Sequence, residues 1–341
     1  MSEQPPNRTR RLRTTGLVVA AALAAIGGLG AWQLLGTDEG PTPCDGLLAD
    51  RRVQEVLSEE SRSGTGCAGL GEAIRKATVA DSSGRHTSGQ ALAMRTVLSA
   101  LAKDVQRRGD HTLDPGLRRP VADALADYAG DVHALLGSGN AASVKNGAPS
   151  AGPWQEKDGY HMAVPRDSLL LVVRAVSEDP LAYVAVRDAQ TLRASEALSD
   201  VAEDARGFDL SAPTSNSARV LATLDAVAED VLRDRDRDRG PDGEEAEGWR
   251  STVVAKLADG PVRPPSYADD PVRHLVGTWR AALRSAKGED AFPALREQGV
   301  RLVEIWSAAG ETDDKTSDSL VRTCRASADS AYNAALRSLD E

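Results

Sequence analysis

The chain has 341 residues, of which 41% are hydrophobic and 27% charged, and a formal net charge of −10. Residues 1–36 hold four arginines and one glutamate, which leaves 37 basic against 50 acidic residues and a net −13 for the remainder. A part that acidic repels nucleic acid and the anionic face of a membrane, so a DNA or RNA binder is excluded.

The first element is Gly16–Gly36, an uncharged run in which Gln33 is the one strongly polar side chain. As a helix it would reach about 30 Å, the hydrocarbon thickness of a bilayer. Residues 16–36 are therefore expected to be a transmembrane helix in contact with lipid. Arg8, Arg10, Arg11 and Arg13 precede the run and Asp38 and Glu39 follow it. That asymmetry keeps a basic tail (residues 1–15) in the cytoplasm and exports the C-terminal part. The competing reading is a cleaved signal peptide. Such signals carry apolar cores of ~7–15 residues, shorter than this one, and Trp32 suits an interfacial aromatic belt. A signal anchor in the cell membrane is the expectation.

Residues 37–85 read as a polar tether and a cysteine-bounded segment, and residues 86–341 as the exported domain. Leu47–Leu57 has helical spacing, Ser58–Gly66 is a loop, and Gly69–Val79 suits either a short helix or a strand. Cys324 lies in the i, i+3, i+4 apolar stripe of the last helix and reads as a small buried hydrophobe. Cys44 and Cys67 flank a short helix in an oxidising compartment. A Cys44–Cys67 disulfide with Cys324 free is expected, and closing that loop should stabilise by ~3 kcal/mol.

Met94, Val97, Leu98, Leu101 and Val105 mark one helical face. Leu117, Val121, Leu125, Tyr128, Val132 and Leu136 mark a second, opened by Asp114-Pro115 as cap and first turn. The short joining loop makes the two an antiparallel hairpin. Gly137–Gly159 is the longest break and a candidate internal boundary. Helices are then expected over Asp167–Ser177, from Asp179-Pro180 to about Ala205, and from Ser217 to about Asp234. Further helices follow at Glu244–Ala258, after the Pro-rich Gly260–Pro271, at Asp290–Ala308 and at Asp313–Leu339. No alternating strand pattern persists, so the exported part is expected to be an all-α helical bundle.

The line LDPGLRRPVADALADYAGDVHALL (Leu113–Leu136), the helix opened by Asp179-Pro180-Leu181-Ala182-Tyr183, and ARVLATLDAVAEDVL (Ala218–Leu232) together resemble a family of uncharacterised actinobacterial all-helical proteins. Its members sit near WXG-type secretion substrates, and the resemblance spans about Thr87 to Leu339. It implies a helical fold and a place beside a secretion apparatus, and it carries no catalytic residues.

Asp234, Asp236, Asp238, Asp242 and Glu245 fall at positions 1, 3, 5, 9 and 12 of a twelve-residue calcium loop. Arg239 stands where the loop needs glycine, and the interleaved arginines can neutralise the aspartates, so a solvated mixed-charge loop is expected and no metal or cofactor is assigned. Asp127 and Asp131 near His133 have the spacing to orient an imidazole, yet they read as an ordinary solvated face. Trp249, Trp279 and Trp306 read as core anchors, with a partner-binding hot spot as the alternative.

No catalytic set emerges. The expected function is a membrane-anchored extracytoplasmic scaffold that binds an unidentified protein at the cell surface, marked by an exposed apolar patch with no polar cleft. Two alternatives remain: an exported hydrolase with dispersed carboxylates, which needs acids of divergent pKa in a deep pocket, and a calcium-responsive structural module.

Overall fold

Helix ends in this chain are written in side chains. Thr87 accepts from the Gln90 amide at 3.2 Å while its own amide donates to Gln90 Oε1 at 2.8 Å. This capping box opens a long helix that stops at Gly109, in the left-handed region at φ 69°. Asp114, Asp179 and Asp270 cap three more helices, each followed by proline at the first helical position.

The computed structural model describes residues 44–57, 66–80, 84–137, 152–157, 159–237, 244–286 and 290–340. In order these form α1 (Asp45–Ala49), α2 (Arg51–Val56), α3 (Gly66–Thr78), α4 (Ser88–Arg108), α5 (Pro115–Asp127), α6 (Ala129–Gly137), β1 (Trp154–Glu156), β2 (Gly159–His161), α7 (Arg166–Val176), α8 (Pro180–Ser199), α9 (Phe208–Arg237), α10 (Glu244–Leu257), α11 (Pro271–Ser285), α12 (Ala291–Arg296), α13 (Gln298–Ala309) and α14 (Asp314–Asp340). Among the described residues the fold is helical apart from one antiparallel hairpin that pairs Trp154 with His161, Gln155 with Tyr160 and Glu156 with Gly159. Three residues per strand are too few to show a period of two, which is why all-α was expected.

Helix α8 is the hub and packs on α5, α6, α7, α9, α10, α11 and α13. The two longest helices, α9 and α14, lie along each other. Cys44 and Cys67 are joined, with Cα atoms 5.5 Å apart, and Cys324 is a free, buried thiol.

Several expectations are corrected. Leu47–Leu57 is two helices, because Asp50 accepts from the Arg52 amide at 2.9 Å and caps the second. Leu117–Leu136 is also two, broken at Tyr128. Gly69–Val79, open between helix and strand, lies in the helix Gly66–Thr78. Helix α8 stops at Ser199, and α9 begins at Phe208 and runs through Pro213. The cysteine-bounded segment is no separate piece: Cys44, Leu47, Val53, Leu57 and Leu70 belong to the same core as α5, α8 and α14. Nor does 137–159 divide the domain, since helices before and after it share that core within one unit, Pro41–Glu341. Residues 16–36 lie outside the described residues. Among the described residues no helix is long and apolar enough to cross a membrane.

Candidate functional site

Helix α8 buries polar residues beside the apolar Ala182, Tyr183, Val186, Ala194 and Leu198, and leaves aliphatic side chains outside. Its inward face carries Arg187, Gln190, Thr191 and Ser195, all fully buried. Its outward face carries Leu181 and Leu192, 40% and 47% exposed, with Val184, Ala185 and Ala189 half-buried between them.

The inner polar residues are stable because each finds a partner. Arg187 donates to Asp225 at 2.5 Å, to the Tyr183 hydroxyl at 2.8 Å, to Gln298 Oε1 at 2.9 Å and to the Leu295 carbonyl at 2.9 Å. Gln298 donates on to Thr191 Oγ1 at 2.7 Å. One guanidinium thus ties α8 to α9, α12 and α13. Burial pushes the Asp225 carboxyl up to about 6 against the pull of Arg187, and pushes the Tyr183 hydroxyl up to about 12. Asp225 is sealed in the core, which removes it as an acid for an outside substrate.

The outer face of α8 floors a groove of about 760 Å³. Val276 and Gly277 of α11 and Pro261 and Pro265 of the preceding loop form its far wall, and Arg119, Arg273 and Arg280 stand around it with one acid, Asp188. The wall is held rigidly. Arg284 donates to the Ala258 and Pro261 carbonyls at 2.6 and 3.0 Å, and His274 Nδ1 contacts the Pro265 carbonyl at 2.8 Å. Gly277 allows the loop to close in, since a Cβ there would stand 2.8 Å from Pro264. Arg280 pairs with Asp188, leaving its Nε buried without a partner.

A second cleft, of about 450 Å³, is polar. Buried Arg174 holds Glu178 at 2.6 Å, Asp230 at 2.5 Å and Asp234, while Arg235 meets Glu178 at 3.1 Å. All three carboxylates are thus bound to arginine. This bears on the stretch that resembled a calcium loop and was expected to be a solvated mixed-charge loop. Asp234 and Asp236 lie in the last turns of α9, Asp234 is committed to Arg174 and Arg237, and Glu245 sits in the first turn of α10. Asp238 and Asp242 lie outside the described residues. Among the described residues one set has metal-ligand proximity, Cys44, Cys67 and Asp114. Its sulfurs are spent in the disulfide, and Asp114 caps α5.

The third cluster overturns the solvated-face expectation for Asp127 and Asp131. Asp127 accepts from His86 Nε2 and the Ala80 amide, both at 2.9 Å, and Asp131 meets His161 Nδ1 at 2.6 Å and the Met162 amide at 2.7 Å. The Tyr160 amide donates to the His86 carbonyl at 3.0 Å. Spacing suggested an imidazole oriented by these acids, but the imidazoles come from His86 and His161, far away in sequence. His133 instead contacts Gln190 Oε1 at 3.2 Å, and burial pulls its pKa down to about 4. These pairs fasten the β1–β2 hairpin and the turn before α4 onto α5 and α6.

Trp249, Trp279 and Trp306 are 2%, 1% and 8% exposed. Trp249 donates to the Ser177 carbonyl at 3.0 Å and packs on Tyr183 and Phe292. They anchor the core and leave almost no surface for a partner. The buried arginines were the residues missed. The available signal was a lone arginine in an apolar run: LLLVVRAV for Arg174, AYVAVRDA for Arg187.

These features define a class: a helical domain clamped by buried arginines, with an open aliphatic groove on its central helix. No family model matches the chain, and neither does any curated protein or solved structure.

Proposed function

We propose that the chain is a membrane-anchored, extracytoplasmic helical module that binds another protein through the outward face of α8. The observation that carries this reading is the aliphatic stripe on the outward face of α8, where Leu181 and Leu192 are exposed and Val184, Ala185 and Ala189 half-buried. The walls of this groove are pre-formed, which lowers the ordering cost of binding. Residues 16–36 are the proposed anchor, with the arginines ahead of them setting its orientation. The resemblance over Thr87–Leu339 favours a setting beside a secretion apparatus.

The test is proximity labelling from the C-terminus in living cells, comparing the native chain with a Leu181→Glu/Leu192→Glu variant. The variant, present at equal level in the membrane, is expected to lose a discrete set of labelled neighbours. Identical labelling would refute α8 as the docking face. A C-terminal reporter active only in the cytosol would refute the topology.

A further inference from the structure

The disulfide at the front of the domain has an acidic neighbour. One carboxylate oxygen of Asp114 and the sulfurs of Cys44 and Cys67 all lie within 4.8 Å of one another. The backbone holds the carboxylate there. Asp114 caps α5 by accepting from the Gly116 amide at 2.8 Å. An added Cβ on Gly116 would stand 2.7 Å from the Ala68 amide nitrogen, so the start of α5 abuts the first turn of α3, which carries Cys67. Arg118, one turn further on, donates to the Leu113 carbonyl at 2.7 Å, and among the described residues no basic side chain forms an ion pair with Asp114.

The two sulfurs differ in access. Cys44 is fully buried and Cys67 is half-buried, so an external thiolate reaches Cys67 and not Cys44. In exchange the incoming sulfur bonds to the Cys67 sulfur, the Cys44–Cys67 bond breaks, and its electron pair leaves on Cys44 as a thiolate. A second external thiolate then attacks the incoming sulfur and releases the Cys67 thiolate. Two external thiols become a disulfide, and the protein gains their two electrons. The first step gathers negative charge on a buried sulfur beside a carboxylate, and a thiol that resists ionisation leaves slowly. Cys67, in the first turn of a helix, would leave more readily, but it is the sulfur open to attack.

We propose that Asp114 guards the Cys44–Cys67 bond, slowing its exchange with external thiols by repelling both the incoming thiolate and the thiolate that must form on Cys44. It acts on the transition state and so slows opening and reclosure alike.

The experiment uses the full-length chain in nanodiscs of zwitterionic lipid and three small thiols: anionic mercaptoethanesulfonate, neutral mercaptoethanol and cationic cysteamine. Acid-quenched samples are unfolded and alkylated for mass spectrometry. The intact disulfide form takes one label, on Cys324, and loss of that species reports the first exchange step. Rates are compared at equal thiolate concentration. Asp114→Asn keeps a capping oxygen and removes the charge. It should react at least about threefold faster with the sulfonate thiol, by a smaller factor with mercaptoethanol, and least so with cysteamine. Raising salt should speed the native chain more than the variant when the sulfonate thiol is used. Asp114→Ser, also a capping residue, should match Asp114→Asn, and unchanged melting of the oxidised variants verifies that the cap is kept.

Equal rates for native and variant chains overturn the proposal. So does an equal acceleration with all three thiols, which would show a loosened helix start in place of a lost charge. Divergence between the Asn and Ser variants overturns it too, because both lack the carboxylate.

Discussion

His133 is held neutral by burial, and this has a consequence in acid. Its folded pKa is about 4, against an ordinary value of 6.5. As pH falls below 6.5 the unfolded chain takes up a proton that the folded chain refuses until about 4, so stability is lost across that window. Asp225 acts oppositely: its carboxyl, raised to about 6 from 3.8, protonates first in the folded state and gains stability over much of the same range. Native protein shows the difference of the two, and a His133→Gln variant isolates one. The variant is expected to lose up to about 3 kcal/mol less stability than the native chain between pH 7 and pH 4, measured by urea unfolding at each pH. Parallel losses would show that His133 is not the titrating group. Little of this was legible in the sequence. Asp127 and Asp131 sit at helical spacing on what looks like a polar stripe, and their partners His86 and His161 are 41 and 30 residues away. Helical periodicity says which side of a helix is polar. It does not say that a hairpin will cover that side.

At the scale of elements, the helices were legible because packed helices carry an apolar stripe, and their ends because Thr87, Asp114 and Asp179 are capping residues. The breaks at Asp50, Tyr128 and Glu297 were hidden, since each interrupts the helix for a single residue while the stripe carries on through it. The exposed aliphatic stripe of α8 was hidden, because Tyr183, Val186 and Leu198 are buried on one side while Leu181 and Leu192 are exposed on the other. Helix contacts also depend on small residues that the stripe does not reveal. At Gly71 of α3 an added Cβ would stand 2.5 Å from the Gly116 carbonyl and 2.9 Å from Pro120 Cγ, so α3 and α5 touch at the backbone. Gly71→Val is expected to destabilise by about 2 kcal/mol through overpacking, read as a lower urea midpoint at unchanged slope. Gly130→Ala, with nothing within 4 Å, is the control and should not lower the midpoint. Equal midpoints for Gly71→Val and the native chain would mean that α3 is free to shift away from α5.

For the whole molecule, the composition pointed to an aliphatic helical core but did not show that the cysteine-bounded segment and the two sides of the 137–159 break share it. Breaks rich in glycine and proline resemble domain boundaries in sequence, and only packing shows whether the two sides share a core. Here Cys44 and Leu47 lie in the same cluster as Trp279 and Leu336, so the disulfide should stabilise the entire unit, not only a tether. Opening the Cys44–Cys67 loop, with its separation of 23 residues, should cost ~3 kcal/mol. For a domain of this size that corresponds to a drop in Tm of roughly 5 °C. The drop should appear as one cooperative transition, with circular dichroism and tryptophan fluorescence shifting together, because Trp249, Trp279 and Trp306 share the core that the disulfide closes. Reduction that leaves the tryptophan transition in place, or splits the curve in two, would mean that the cysteine-bounded segment folds apart from the rest. The single core that positions α8 would then begin only after it.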